Sequence, residues 1–138
     1  MTTIDYKELE LALDFVSGEA IVSATAYISR DSGKIYWESS ELDEELPRDI
    51  EDSELYVQVP SKYELDLGKP LALKFAVERL SDSYSVVEGI FRSRGAYGRF
   101  KNFLESKNCL DDWYEFEDAS VRAALTEWAE SEGFTIKC

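Results

Sequence analysis

Nine carboxylates crowd residues 38–54: Glu38, Glu41, Asp43, Glu44, Glu45, Asp49, Glu51, Asp52 and Glu54, with Arg48 as the one opposing charge. Three uses fit such a segment. It can face a basic protein, its carboxylates standing in for the phosphates that a nuclease groove lined with Lys and Arg is built to hold, as in inhibitors and toxin-immunity proteins. It can hold calcium, since hard oxygen ligands are abundant, although no Asp-x-Asp-x-Asp-Gly loop is present. It can simply be a solvated loop that keeps the chain soluble. The expectation taken forward is a contact surface for a basic partner, built by Glu41, Asp43, Glu44, Glu45, Asp49, Glu51, Asp52 and Glu54.

A second constellation has the opposite sign. Arg92, Arg94, Arg99, Lys101 and Lys107 fall within residues 90–108, where Glu105 is the one acid. Gly95-Ala96-Tyr97-Gly98 resembles the Gly-x-x-Gly loop that clamps a nucleic-acid backbone in KH domains, but the surrounding order of strands and helices is not a KH pattern. Phosphate capture at the helix start after Gly95, by Arg94, Arg99 and Lys101, is the alternative function. The plain reading is that these cations pair internally with the excess acids.

Catalysis has little to work with. The chain has no histidine, which removes Ser-His and Cys-His nucleophile pairs, His-containing zinc and iron sites, and the commonest acid–base side chain near neutral pH. Cys109 and Cys138 form no Cys-x-x-Cys pair and no metal-ligand spacing, and read as ordinary thiols in a reducing compartment. No enzymatic activity, metal or cofactor is expected.

The formal net charge is −14 over 138 residues. Residues 1–60 hold four basic groups against fifteen acidic ones, and residues 109–138 hold two against eight. Such a surface repels nucleic-acid backbones and anionic membranes and steers toward basic proteins. The N-terminus is acidic and amphipathic rather than signal-like, and no stretch approaches the ~20 apolar residues of a membrane span. A cytoplasmic protein is expected, folded as one domain over 1–138.

The elements that must position these charges follow from the periodicity. Asp5-Tyr6-Lys7-Glu8 has the form of a capping box, Leu9, Leu13 and Val16 recur at helical spacing, and Gly18 ends the run. Residues 21–39 read as a hairpin: Ile21-Val22 leads to Ala24–Ile28, Asp31-Ser32-Gly33 turns, and Lys34–Trp37 returns. Leu55–Val59 is a third strand, closed by Pro60. Helices follow. Pro70 suits a first turn, with Leu73, Ala76, Val77 and Leu80 as its stripe. Val86, Val87, Ile90 and Phe91 make a short stripe that Gly95 breaks, and Tyr97, Phe100, Phe103 and Leu104 make another. Trp113-Tyr114-Glu115-Phe116 lies between helices as an aromatic plug joining the last helix to the sheet. Val121, Ala124, Leu125, Trp128 and Ala129 form that last helix, with Val121, Leu125 and Trp128 facing the core. Gly133 stops it, and Phe134-Thr135-Ile136 is a short edge strand. Strands come early and helices late, which predicts α+β: an N-terminal helix, an antiparallel sheet of three or four strands, and a C-terminal cluster of three or four helices.

Three stretches resemble one bacterial family known as an uncharacterised protein family, number 0158 of its series. They are Leu13 to Trp37 with Arg30-Asp31-Ser32-Gly33-Lys34-Ile35 at the turn, the run Arg94-Gly95-Ala96-Tyr97-Gly98-Arg99-Phe100-Lys101, and Trp113-Tyr114-Glu115-Phe116 followed by a helix holding Trp128. The middle run is similar to the family's Gly-Ala-Phe-Arg-Arg-Phe-Lys, with Tyr97 where the family usually has Phe and Gly98 where it usually has a basic residue. The resemblance implies a compact bacterial cytoplasmic domain and no particular activity.

Overall fold

Asp5 starts the first helix by direct capping. Its Oδ1 accepts hydrogen bonds from the backbone N–H of Lys7 at 2.8 Å and of Glu8 at 3.3 Å, which satisfies two donors that the helix cannot satisfy itself. The resulting helix α1 (Tyr6–Ser17) buries Leu9, Ala12 and Leu13 and leaves Leu11 on its opposite side exposed. The computed structural model describes residues 2–17, 24–39 and 45–137. Gly18, Ile21 and Val22, assigned above to a helix stop and a strand entry, lie outside them, as does Cys138.

The chain divides into two compact units, residues 1–65 with 123–138 and residues 66–122. In the first, β1 (Thr2–Asp5) precedes α1, followed by β2 (Ala24–Ser29), β3 (Ile35–Ser39) and β4 (Tyr56–Gln58). The three later strands form an antiparallel sheet in the order β3-β2-β4. Ala26, Ile28 and Ile35 are its buried apolar positions, with Val59 buried just past β4, and Phe15 of α1 meets Trp37 of β3 edge-to-face at 5.2 Å. The hairpin turn is held by Ser29, whose Oγ accepts the N–H of Asp31 and Ser32, and by Gly33 at φ +78°.

Two expectations about this unit need correction. A strand, not a helix, opens the chain. And Phe134–Lys137 (β5) does not extend the antiparallel sheet: it pairs in parallel with β1, Thr2 opposite Phe134 through Asp5 opposite Lys137. Gly133, at φ +88°, ends the preceding helix as expected and releases the chain into this strand. Ile4 and Phe134, both buried, are the apolar residues that make the pairing worthwhile.

Arg30 ties the unit together. Its Nη2 meets the Glu132 carboxylate at 3.1 Å, its Nη1 donates to the Glu132 carbonyl, and its Nε donates to the Ser53 carbonyl at 2.9 Å. Its own carbonyl accepts the Thr2 hydroxyl at 2.6 Å. One side chain thus links β2, the segment before β4 and the end of the last helix.

The second unit is helical among its described residues: α2 (Lys69–Arg79), a 3₁₀ turn (Ser81–Ser83), α3 (Tyr84–Ile90), α4 (Ala96–Ser106) and the first part of α5 (Leu110–Ser131). Pro70 lies in the first turn of α2 as its fixed φ favours. The buried face of α2 overlaps the expected stripe only at Ala76. Leu71, Ala72, Phe75 and Ala76 are buried, Leu73 and Leu80 are half-buried, and Val77 is exposed. Both stripes have helical spacing, and the one carrying the Phe75 ring buries more apolar area. Trp113-Tyr114-Glu115-Phe116 also differs, since it lies inside α5 and not between helices. Trp113 is fully buried against Phe75, Phe100 and Phe116, so it plugs a helical aromatic cluster and not a helix–sheet joint. Further along α5, Val121 and Leu125 are buried as expected, but Trp128 is half-buried and Ala129 takes the buried position beside it.

Candidate acidic–aromatic face

Strand alternation sends Ala26 and Ile28 inward and Thr25 and Tyr27 to the other side of β2. Register then places Tyr36 opposite Tyr27, Glu38 opposite Thr25, Gln58 opposite Tyr27 and Tyr56 opposite Ser29. Three tyrosines from three strands therefore share one face. Ser29 on the central strand is small, with its hydroxyl turned to the hairpin, so the Tyr36 and Tyr56 rings from the two flanking strands meet edge-to-face at 5.9 Å. All three tyrosines are half-buried, while Glu38 and Gln58 are exposed. The Lys34 ammonium sits 4.7 Å from the centre of the Tyr36 ring, a cation–π contact within the protein itself.

Carboxylates rim this face. Burial pushes the Tyr27 phenol above its ordinary pKa of 10.0, and the charges of Glu38 and Glu51 push it further. Tyr56 is raised in the same way, by burial, by the Asp49 charge, by Tyr36, and by its hydrogen bond with the Asp49 carboxylate. Each cause disfavours the phenolate. The folded protein therefore holds these protons at pH values where the unfolded chain releases them. The stability linked to the two phenols is complete below the ordinary value and is lost as pH rises through the raised ones. Among the eight tyrosines, a late-titrating subset is expected in the ultraviolet tyrosinate absorbance. Tyr56→Phe should remove part of that subset and flatten the loss of stability above about pH 10. An unchanged titration curve in that variant would contradict the arrangement.

The acidic segment is a built turn. Among its expected contact residues, Glu41, Asp43 and Glu44 lie outside the described residues. Glu45, Asp49, Glu51, Asp52 and Glu54 are all exposed. Asp52 is structural in part: its Oδ1 accepts the Glu54 N–H at 2.9 Å, and its carbonyl accepts the N–H of Leu55 and Tyr56. Asp49 takes the Asp52 N–H on its carbonyl at 2.9 Å. With Arg30 holding the Ser53 carbonyl, this turn sets Asp49 in a hydrogen bond with Tyr56 and brings the charge of Glu51 to bear on Tyr27.

Arg99 and Lys101 are engaged within the protein. Gly95, at φ +73°, starts α4. Arg99 from the next turn folds back, its Nη2 donating to the carbonyls of Ile90 and Ser93 and to the Ser93 hydroxyl at 2.9–3.3 Å. It closes the end of α3. Lys101 lies 5.6 Å from the centre of the Tyr114 ring, and Lys107 5.8 Å from that of Phe103. Arg92 pairs with Glu88 one turn earlier. Arg94 is exposed. Internal engagement is thus mostly with carbonyls and rings, not with the acids.

In the sequence Tyr27, Tyr36 and Tyr56 stand only as strand formers, and their shared face follows from strand register. The available signal was the hairpin: with the turn at Asp31-Ser32-Gly33, Tyr27 and Tyr36 come out as cross-strand partners. Among the described residues no group of three or more carboxylate, thiol or imidazole side chains stands close enough to hold a metal ion, and no helix is long and apolar enough to cross a membrane. An open depression of about 410 Å³ lies where α4 meets α5, lined by Glu105, Asn108, Leu110 and Asp111.

No curated protein and no solved structure matches the chain. The model of the uncharacterised protein family UPF0158 matches residues 5–137, which takes in the hairpin, the acidic turn, the basic run and the aromatic start of α5. By that match over nearly its whole length, the chain belongs to the uncharacterised protein family UPF0158.

Proposed function

We propose that this protein is a non-enzymatic binding module that engages a basic protein partner through its acidic face, in the manner of an inhibitor or immunity protein. The observation that carries this reading is the rim of Glu38, Asp49 and Glu51 around the tyrosine face. Like charges held close together repel, and a basic partner relieves that repulsion. Charge also speeds encounter, since oppositely charged surfaces associate faster than neutral ones at low salt. Half-buried tyrosines supply what charge alone lacks, namely contact area at low conformational cost. The absence of histidine favours binding over catalysis. The competing use of the basic segment on nucleic acid or a phosphorylated ligand draws little support from its geometry, because Arg99 is bonded to carbonyls and Lys101 is set on a ring.

The test uses a synthetic peptide of alternating lysine and serine. Its affinity should fall as salt rises. The triple variant Glu38→Gln, Asp49→Asn, Glu51→Gln should slow association by roughly threefold or more at low salt, with little change in dissociation. A control variant, Asp111→Asn, Asp118→Asn, Glu127→Gln, neutralises three exposed acids of α5 and should leave the rate nearly unchanged. If both variants behave alike, the segment is a solvated surface and the reading fails.

A further inference from the structure

The geometry points to an arginine-rich segment of the partner protein, not a lysine-rich one, as the occupant of the face formed by Tyr27, Tyr36 and Tyr56. This inference rests on the acidic-face reading and sharpens it. Carboxylates alone do not distinguish the two cations well. Lysine carries a compact, strongly hydrated charge that remains hydrated beside an exposed carboxylate, while the guanidinium is planar, weakly hydrated and able to stack on an aromatic ring as it bonds a carboxylate with two parallel N–H groups.

The face offers both halves of that recognition. Its rings come from three adjacent strands, with the Tyr36 and Tyr56 rings 5.9 Å apart and nearly perpendicular, so a plane laid on one ring meets the edge of the other. Lys34 already sits over Tyr36, 4.7 Å from the ring centre, so this ring attracts a cation, and the exposed Lys34 side chain is what an incoming guanidinium must displace to reach it. Acceptors lie at the rim: Glu38 and Glu51 close enough to Tyr27 to raise its pKa, and Asp49 bonded to the Tyr56 hydroxyl. Glu38 is exposed, so its carboxylate is available to a partner. The net charge of −14 supplies the long-range attraction, and the rings supply the choice between cations.

Binding is measured to two peptides of equal length and charge, one alternating arginine with serine and the other lysine with serine. The arginine peptide should bind roughly fivefold more tightly. Tyr36→Leu should bring the ratio of the two affinities close to one while leaving the salt dependence in place, and Tyr36→Phe should keep the ratio. The wild-type protein gives an independent reading: the nuclear magnetic resonance signals of the Tyr27, Tyr36 and Tyr56 rings should shift more with the arginine peptide than with the lysine peptide. Equal affinities in the wild type, a ratio that survives Tyr36→Leu, or ring signals that do not distinguish the peptides would each overturn the arginine preference while leaving the acidic face standing. Failure to bind either peptide would remove the reading beneath it.

Discussion

Replacing Trp113 with alanine is expected to cost about 4 kcal/mol, a large fraction of the roughly 5–15 kcal/mol that holds a domain folded. Trp113 is fully buried. Its ring centre lies 5.0 Å from that of Phe100 and 5.4 Å from that of Phe75, both in edge-on contacts, and 6.2 Å from that of Phe116, stacked. Alanine removes the indole and leaves a void lined by rings on three helices, each locked by its own packing and unable to fill the space. Each lost aromatic pair adds roughly 0.5–1.5 kcal/mol to the loss of burial. Trp113→Phe should be far milder, at about 1–2 kcal/mol. It keeps a ring in place, and it removes an indole N–H that is buried with no hydrogen-bond partner among the described residues, so no bond is broken and a desolvation cost is relieved. Denaturant midpoints of the two variants measure both effects. A Trp113→Ala midpoint close to wild type would mean that the cluster is not the centre of the helical unit.

The features legible in the sequence were those with local chemistry. Asp5 announced a helix start, Asp31-Ser32-Gly33 a tight turn, Pro70 a first helical turn and Gly133 a helix stop, and each does that work within a few residues of itself. What went unread is non-local or ambiguous in period. The pairing of Thr2–Asp5 with Phe134–Lys137 joins the two ends of the chain, and a four-residue strand leaves too short a pattern to register. In α2, Leu73-Ala76-Val77-Leu80 and Leu71-Ala72-Phe75-Ala76 are both valid helical stripes sharing Ala76, and the packing of Phe75 against Trp113 and Phe116 decides between them. In Trp113-Tyr114-Glu115-Phe116, aromatic density masked the i, i+3 spacing that puts Trp113 and Phe116 on one side of a helix.

The site divides along the same line. Its carboxylates are visible as composition, because nine acids in one segment need no structure to be counted. Its rings are visible only through register. Tyr27 and Tyr36 follow from the hairpin turn, but Tyr56 arrives from beyond the acidic segment, and nothing local says that β4 lies beside β2 with Tyr56 opposite Ser29. The acids also change meaning in the structure. Asp52 spends its side chain on the turn, whereas Asp49 bonds the Tyr56 hydroxyl and the charge of Glu51 acts on Tyr27.

Gly33→Ala should destabilise the first unit by about 3 kcal/mol, and two separate costs add to that figure. The first is conformational. Gly33 has φ +78°, where a side chain costs roughly 1–2 kcal/mol. The second is steric: a Cβ on Gly33 would lie 2.7 Å from the Thr3 carbonyl oxygen and 3.2 Å from the Thr2 methyl. A carbonyl oxygen of β1 cannot rotate away as a side chain would, so the strand itself must move. That movement strains the Thr2 hydroxyl bond to the Arg30 carbonyl and the pairing of β1 with β5. The loss should therefore be local as well as global, with faster hydrogen exchange at the β1 and β5 amides than at those of α4. Gly98→Ala is the matched control. Gly98 lies within α4, with nothing within 4 Å of the added methyl, and alanine there should stabilise by roughly 0.5–1 kcal/mol through its better helix propensity. The two substitutions add the same methyl group and should move the melting temperature in opposite directions. If Gly33→Ala instead melts with or above the wild type, β1 does not pass over the hairpin turn, and the contact of Gly33 with the Thr3 carbonyl is absent from the folded protein.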